Sequence, residues 1–132
     1  MTKQNIATFP YRSDPHGNIF PIIPLSIALA GTKKEFYALI DSGATISVFR
    51  AEVADELSVK IESGKETYLG GVGGRIKGYI HTMEVEIAGN TFRCPIVFSR
   101  EYLVSFSLLG REAFFPKFTI IFEEKEKFVR LQ

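Results

Sequence analysis

Short runs rich in Phe, Ile, Val, Tyr and Thr, punctuated by glycine, recur along the chain and predict a mostly β fold with helix as the minority state. Leu25, Ile27 and Leu29 alternate with Ser26 and Ala28, Gly31 to Lys34 turns the chain, and Glu35 to Ile40 resumes an extended run, so a hairpin is expected. Its second arm ends at Asp41-Ser42-Gly43. Apolar residues return at Ile46, Val48 and Phe49, which places the tripeptide in a loop between strands. From Arg50 to Leu57 the period changes: Val53, Ala54 and Leu57 share a helical face, with Glu52, Asp55 and Glu56 outside it. One short helix is predicted there.

Glu62 to Gly64 turns the chain again, and Lys65 to Val72 and Arg75 to Ile87 read as a long hairpin whose flexible tip is the cluster Gly70, Gly71, Gly73 and Gly74. Gly89-Asn90 makes the next turn, before a strand from Thr91 to Ser99 that carries Pro95 at its edge or end. Arg111 to Phe115 predicts one or two helical turns stopped by Pro116. A C-terminal hairpin, residues 117–132, has arms Phe118 to Phe122 and Lys127 to Leu131 around the charged Glu123 to Glu126. Within residues 1–20, Pro10, Pro15 and Gly17 break any period, and Ile6 to Phe9 alone resembles a strand. With no repeat or linker, residues 1–132 are expected to form a single domain.

Composition narrows the function. Sixteen Lys and Arg against fifteen Asp and Glu leave a formal charge of +1, which argues against a nucleic-acid or anionic-membrane partner. The apolar stretch Ile19 to Ala30 is interrupted by Pro21, Pro24 and Ser26 and falls short of the roughly 20 residues that cross a bilayer, so no membrane span is expected. Met1 to Ile6 lacks the pattern of a signal peptide, and a single cysteine, Cys94, makes no intrachain disulfide; a cytoplasmic protein is the expectation. His16 and His81 lack partners at metal-ligand spacing, so neither a metal nor another cofactor is expected.

Asp41-Ser42-Gly43 is the first candidate for chemistry. Gly43 lets the backbone turn, Ser42 locks the loop through its hydroxyl, and Asp41 is presented to a cleft; alone, such a tripeptide is usually an ordinary turn. The glycine cluster is no phosphate loop, because extended sequence flanks it on both sides where a helix should open. Ser42 is no nucleophile either, since neither histidine is placed to suggest an activating partner.

Three motifs in order change the reading of the tripeptide. Tyr37-Ala38-Leu39-Ile40 before Asp41-Ser42-Gly43 with Ala44-Thr45 after it, the hairpin Leu69-Gly70-Gly71-Val72-Gly73-Gly74-Arg75-Ile76-Lys77, and Leu108-Leu109-Gly110-Arg111-Glu112 together resemble the retropepsin-like, single-lobe aspartic proteases over about Pro21 to Phe122. The resemblance implies an all-β, pepsin-like closed β-barrel lobe with one or two short helices. It implies Asp41 as catalyst in a loop shaped by Ser42, Gly43, Ala44 and Thr45. It further implies a substrate-binding flap at Gly70, Gly71, Val72, Gly73, Gly74 and Arg75, structural support from Leu108, Leu109, Gly110 and Arg111, and an extended polypeptide as substrate.

Metal-free peptide hydrolysis without a covalent intermediate takes two carboxylates that share a proton. The chain has three aspartates, and neither Asp14, before Pro15, nor Asp55, on the polar face of the predicted helix, sits in a second such tripeptide. The second acid is therefore expected from another copy, in a twofold homodimer with crossed Ser42 hydrogen bonds, as the resemblance implies.

Two departures from the retroviral pattern stand out: Arg75 replaces an apolar flap residue, and Thr45 replaces the aspartate that would pair with Arg111. The ends diverge further: retroviral enzymes tie their dimer with short terminal strands, whereas here residues 1–20 are expected to be an N-terminal extension or a dimer-contact strand, and a charged hairpin follows the C-terminal helix. The rival reading is a non-catalytic peptide-binding or dimerisation module on the same fold.

Overall fold

The computed structural model describes residues 6–132, so the first five residues of the expected extension at residues 1–20, and of the Met1 to Ile6 segment read for a signal peptide, lie outside the described residues. The strands are β1 (Ala7–Pro10), β2 (Arg12–Ser13), β3 (Ile19–Phe20), β4 (Ile22–Leu29), β5 (Thr32–Ile40), β6 (Ser47–Arg50), β7 (Lys65–Gly71), β8 (Gly74–Ile87), β9 (Asn90–Ser99), β10 (Ser107–Leu109), β11 (Ile120–Glu123) and β12 (Phe128–Leu131), with one α-helix, α1 (Ala51–Glu56). The all-β class holds.

The main sheet runs β4-β5-β10-β6-β9-β8-β7, and a further pairing of β4 with β8 joins its ends into a ring of six strands with β7 outside. The ring forms because β4 has two antiparallel partners: Ile23 lies opposite Ala38 of β5, while Ile27 lies opposite Val85 of β8. Alternation fills its interior. Ile23, Leu25 and Ile27 of β4, Met83, Val85 and Ile87 of β8, and Phe92, Cys94, Ile96 and Phe98 of β9 are buried, each large aliphatic contributing about 1.5–3 kcal/mol on leaving water. Phe49 of β6 meets Phe98 edge-on at 6.5 Å between centroids, closing the centre of the core.

Two hairpin turns are tighter than the sequence suggests. Ala30-Gly31 and Ala88-Gly89 each have two consecutive positive φ angles, 50° and 81° in the first and 50° and 80° in the second, and Lys33 and Lys34 already belong to β5. Such paired left-handed residues match the twist of the flanking strands.

The helix expected over Arg111 to Phe115 does not form. Ala113 has φ 68°, which breaks helical continuity, and a 3-10 turn follows at Phe115–Lys117 with Pro116 inside it instead of ending it. Both chain ends meet in a small sheet ordered β1-β12-β11, with Ala7 opposite Leu131. The strand expected near the N-terminus thus pairs with the C-terminal hairpin of its own chain.

Candidate active site

The end of β5 and the three residues of β10 build the floor of the site. β10 runs parallel to β5, with Leu109 opposite Ile40, and antiparallel to β6, with Leu108 opposite Val48. The Asp41 N–H donates to Leu109 O at 3.0 Å, so the carboxylate emerges where three strands converge. The loop then folds on itself: Gly43 N–H donates to Asp41 Oδ1 at 2.9 Å and Ala44 N–H to Asp41 O at 3.2 Å. A Cβ at Gly43 would lie 3.2 Å from that same Oδ1, so a side chain there would press on the carboxylate.

Gly110 supports this loop from behind. A Cβ at Gly110 would lie 2.5 Å from the Ile46 carbonyl carbon and oxygen, a contact only glycine permits. Its N–H donates to the buried Ser47 hydroxyl at 3.0 Å, and the next two N–H groups, of Arg111 and Glu112, donate to Ala44 O and Thr45 O at 2.8 and 2.9 Å. The backbone N–H groups of Gly110 to Glu112 therefore hold Ala44, Thr45 and Ser47. No ion pair joins Arg111 to any described residue.

Asp41 opens into a cavity of about 600 Å³, whose wall includes Ile46, Val48, Ile76, Leu108 and, from the β7–β8 hairpin, Leu69 to Val72 and Gly74. Among the described residues Asp41 is its sole carboxylate. The hairpin expected as a flap is that of β7 and β8, turned at Val72-Gly73 with φ 105° and 121° at Gly73 and Gly74, and Val72 at its tip is fully exposed. Leu69 and Ile76 are cross-strand neighbours lining the cavity, whereas Arg75 lies over the Tyr68 ring at 4.5 Å and is not part of the cavity wall. At the flap base, Ser99 Oγ–H donates to Lys77 O and Lys77 N–H to Glu101 Oε1, fastening β8 to the end of β9.

Of the loop residues, Ser42 and Thr45 are exposed and Ala44 half-buried. The Ser42 hydroxyl bonds to no described residue. The other two aspartates stand elsewhere. Asp14 accepts the N–H groups of His16 and Asn18 in a surface turn, and Asp55 faces Arg100 on α1.

The sequence reading missed Tyr102 and Val104, which line the same cavity. Tyr102 Oη–H donates to Phe106 O at 2.8 Å, and burial, reinforced by the Asp41 charge, pushes the phenol up to about 12. The available signal was an apolar pair, Leu103-Val104, left exposed in a loop. Cys94 packs 4.0 Å from Ser47 Oγ, and burial pushes its thiol up to about 11. Among the described residues no His, Cys, Asp and Glu cluster is suited to hold a metal ion, and no helix is long and apolar enough to cross a membrane.

The sequence profile of the aspartyl protease family matches residues 24–113, from β4 through the loop after Gly110. The chain belongs to the aspartyl protease family. Its fold is that of the retropepsins: a retropepsin-like aspartic protease from Rickettsia conorii superposes with a TM-score of 0.68 at 19% identity, covering 96% of this chain and 91% of that one. EIAV protease in complex with the inhibitor HBY-793 superposes with a TM-score of 0.55 at 22% identity, covering 70% of this chain and 82% of its own. No protein of curated function matches the sequence. The matched span contains the Asp41 loop, the β7–β8 hairpin and the Gly110 support, and excludes the small sheet of β1, β11 and β12.

Proposed function

We propose that the protein is a homodimeric aspartic endopeptidase in which Asp41 of two copies forms the catalytic pair. The observation that carries this reading is the lone carboxylate: Asp41 stands in a cleft beneath the β7–β8 hairpin, and no second acid among the described residues lines that cleft. A twofold axis beside the Asp41 loop supplies the missing one. The exposed Ser42 hydroxyl, without a partner among the described residues, suits a bond across that axis.

In the paired site one carboxylate is ionised and the other protonated. The ionised group takes a proton from water as its oxygen attacks the scissile carbonyl carbon, and the protonated group gives its proton to the carbonyl oxygen. The resulting tetrahedral diol collapses as the C–N bond breaks: a hydroxyl proton returns to a carboxylate and the leaving nitrogen receives the other carboxylate's proton, restoring the starting pair. The bound polypeptide is extended, with backbone hydrogen bonds to the flap and side chains in the apolar wall of Ile46, Val48, Ile76 and Leu108.

The test is cleavage of denatured casein across pH, with and without a pepstatin-type inhibitor. Inhibitor-sensitive cleavage with a bell-shaped profile peaking below neutrality is expected, because two adjacent carboxylates share one proton only over an acidic window. No cleavage at any pH or protein concentration would overturn the reading in favour of a non-catalytic module.

A further inference from the structure

Seven arginines occur in the chain, and six of them have a partner for the guanidinium. Arg50, Arg100 and Arg130 sit in ion pairs, Arg12 and Arg75 lie over tyrosine rings, and Arg93 donates to Thr82 O. Arg111 alone has none among the described residues, although its backbone is among the most firmly placed near the site. Its N–H is bonded to Ala44 O, Gly110 before it is packed against Ile46, and Glu112 after it is bonded to Thr45 O. The Arg111 side chain is exposed and lines a cavity of about 390 Å³ with Thr45, Glu112, Phe115 and Pro116. Thr45 also lines the Asp41 cavity, so the two cavities adjoin through this one residue.

We infer that Arg111 forms an outer subsite of the cleft that takes an acidic side chain of the polypeptide substrate, an inference that rests on the endopeptidase reading above. An extended chain leaving the Asp41 cavity past Thr45 enters a cavity with an apolar side, Phe115 and Pro116, for the methylene stem of a glutamate, and a free guanidinium for its carboxylate. Glu112 lines the same cavity without approaching Arg111 to ion-pair distance, so it opposes an incoming carboxylate and moderates the preference. An exposed pair of this kind discriminates by about fivefold, and the discrimination shrinks as salt rises.

The experiment has two arms. In the first, the wild-type protein cleaves a set of ten-residue peptides with a fixed apolar central pair and Glu, Gln or Lys at each outer position. Glu is expected to exceed Gln by about fivefold in kcat/KM at one position on each side of the scissile bond at most. Arg111→Gln should abolish that ratio, Arg111→Glu should turn it towards Lys, and Glu112→Gln should increase it. Cleavage with no charge preference, or a Glu preference that survives Arg111→Glu, overturns the subsite and leaves the endopeptidase intact.

In the second arm, fluorescence anisotropy measures binding of the same labelled peptides to the Asp41→Asn protein with and without Arg111→Glu. Loss of Glu-peptide binding on charge reversal supports the subsite even if the wild type cleaves nothing, a result that would overturn the endopeptidase alone. Sedimentation of the Arg111 variants completes the test. Weakened self-association with unchanged peptide selectivity would assign Arg111 to a contact with a second copy and overturn the inference.

Discussion

At the scale of the residue, Asp41 is held by its neighbours through groups that an amide can replace. Asn at position 41 keeps an Oδ1 acceptor for the Gly43 N–H and the backbone bond to Leu109 O, so Asp41→Asn should fold as the parent does. It removes the shared proton, and peptidase activity should fall by several orders of magnitude, about 10³-fold or more. Thermal unfolding and a casein assay on the same preparation check both halves. Tyr102 gives a second prediction at this scale. Its folded phenol holds its proton up to about pH 12 against an ordinary 10.0. The protonated form is thus favoured by folding: the contribution to stability is full below pH 10.0 and is lost as pH rises towards about 12. Urea unfolding at pH steps across that window should show a decline that is smaller in Tyr102→Phe.

At the scale of the element, the segment Leu108 to Glu112 is a short β-strand and a backbone clamp in one. β10 inserts between β5 and β6, and the three N–H groups after it reach Ser47 Oγ, Ala44 O and Thr45 O. Gly110→Ala adds a methyl where the nearest atoms are backbone and have no rotamer by which to yield. The expected cost is about 1–3 kcal/mol, with the loop beside Asp41 displaced. Denaturant midpoints should report the first effect. Loss of specific activity beyond the fraction unfolded should report the second. The tip of the β7–β8 hairpin is built on the opposite plan, since Gly70, Gly71, Gly73 and Gly74 have no atom within 4 Å of an added Cβ, so a flap that closed over a substrate would meet no packing obstacle there.

At the scale of the whole molecule, the chain ends have already paired. β1 and β12 lie side by side in one copy, so these two strands pair within the chain, and a contact that joined two Asp41 loops would have to work around this sheet. If two copies share one site, specific activity should decline on dilution through the dissociation range. Adding Asp41→Asn chains to an equal amount of wild type, with time for exchange, should leave about one quarter of dimers with both acids. Full activity from a verified monomer, without poisoning by the exchanged mutant, would require a second acid from within the chain.

By itself the sequence determined most of the elements and the conformation of the Asp41-Ser42-Gly43 loop, because both are local. Alternation in Leu25 to Leu29 and the glycines at residues 70–74 specify strands and a turn without reference to anything distant. The Asp41 loop was legible for the same reason: its defining bond, Gly43 N–H to Asp41 Oδ1, spans two residues. The expected helix after Gly110 failed because its composition is permissive, while the backbone bonds to Ala44 and Thr45 and the positive φ of Ala113 fix another path. Tertiary structure alone decided that β4 closes the ring through β8, that the chain ends pair, and that Tyr102 and Val104 face Asp41. It also decided that Arg75 turns to Tyr68 while Arg111 is left unpaired beside Thr45. These outcomes depend on contacts between residues far apart in the chain, where strand register and burial select one partner among many that local pattern allows.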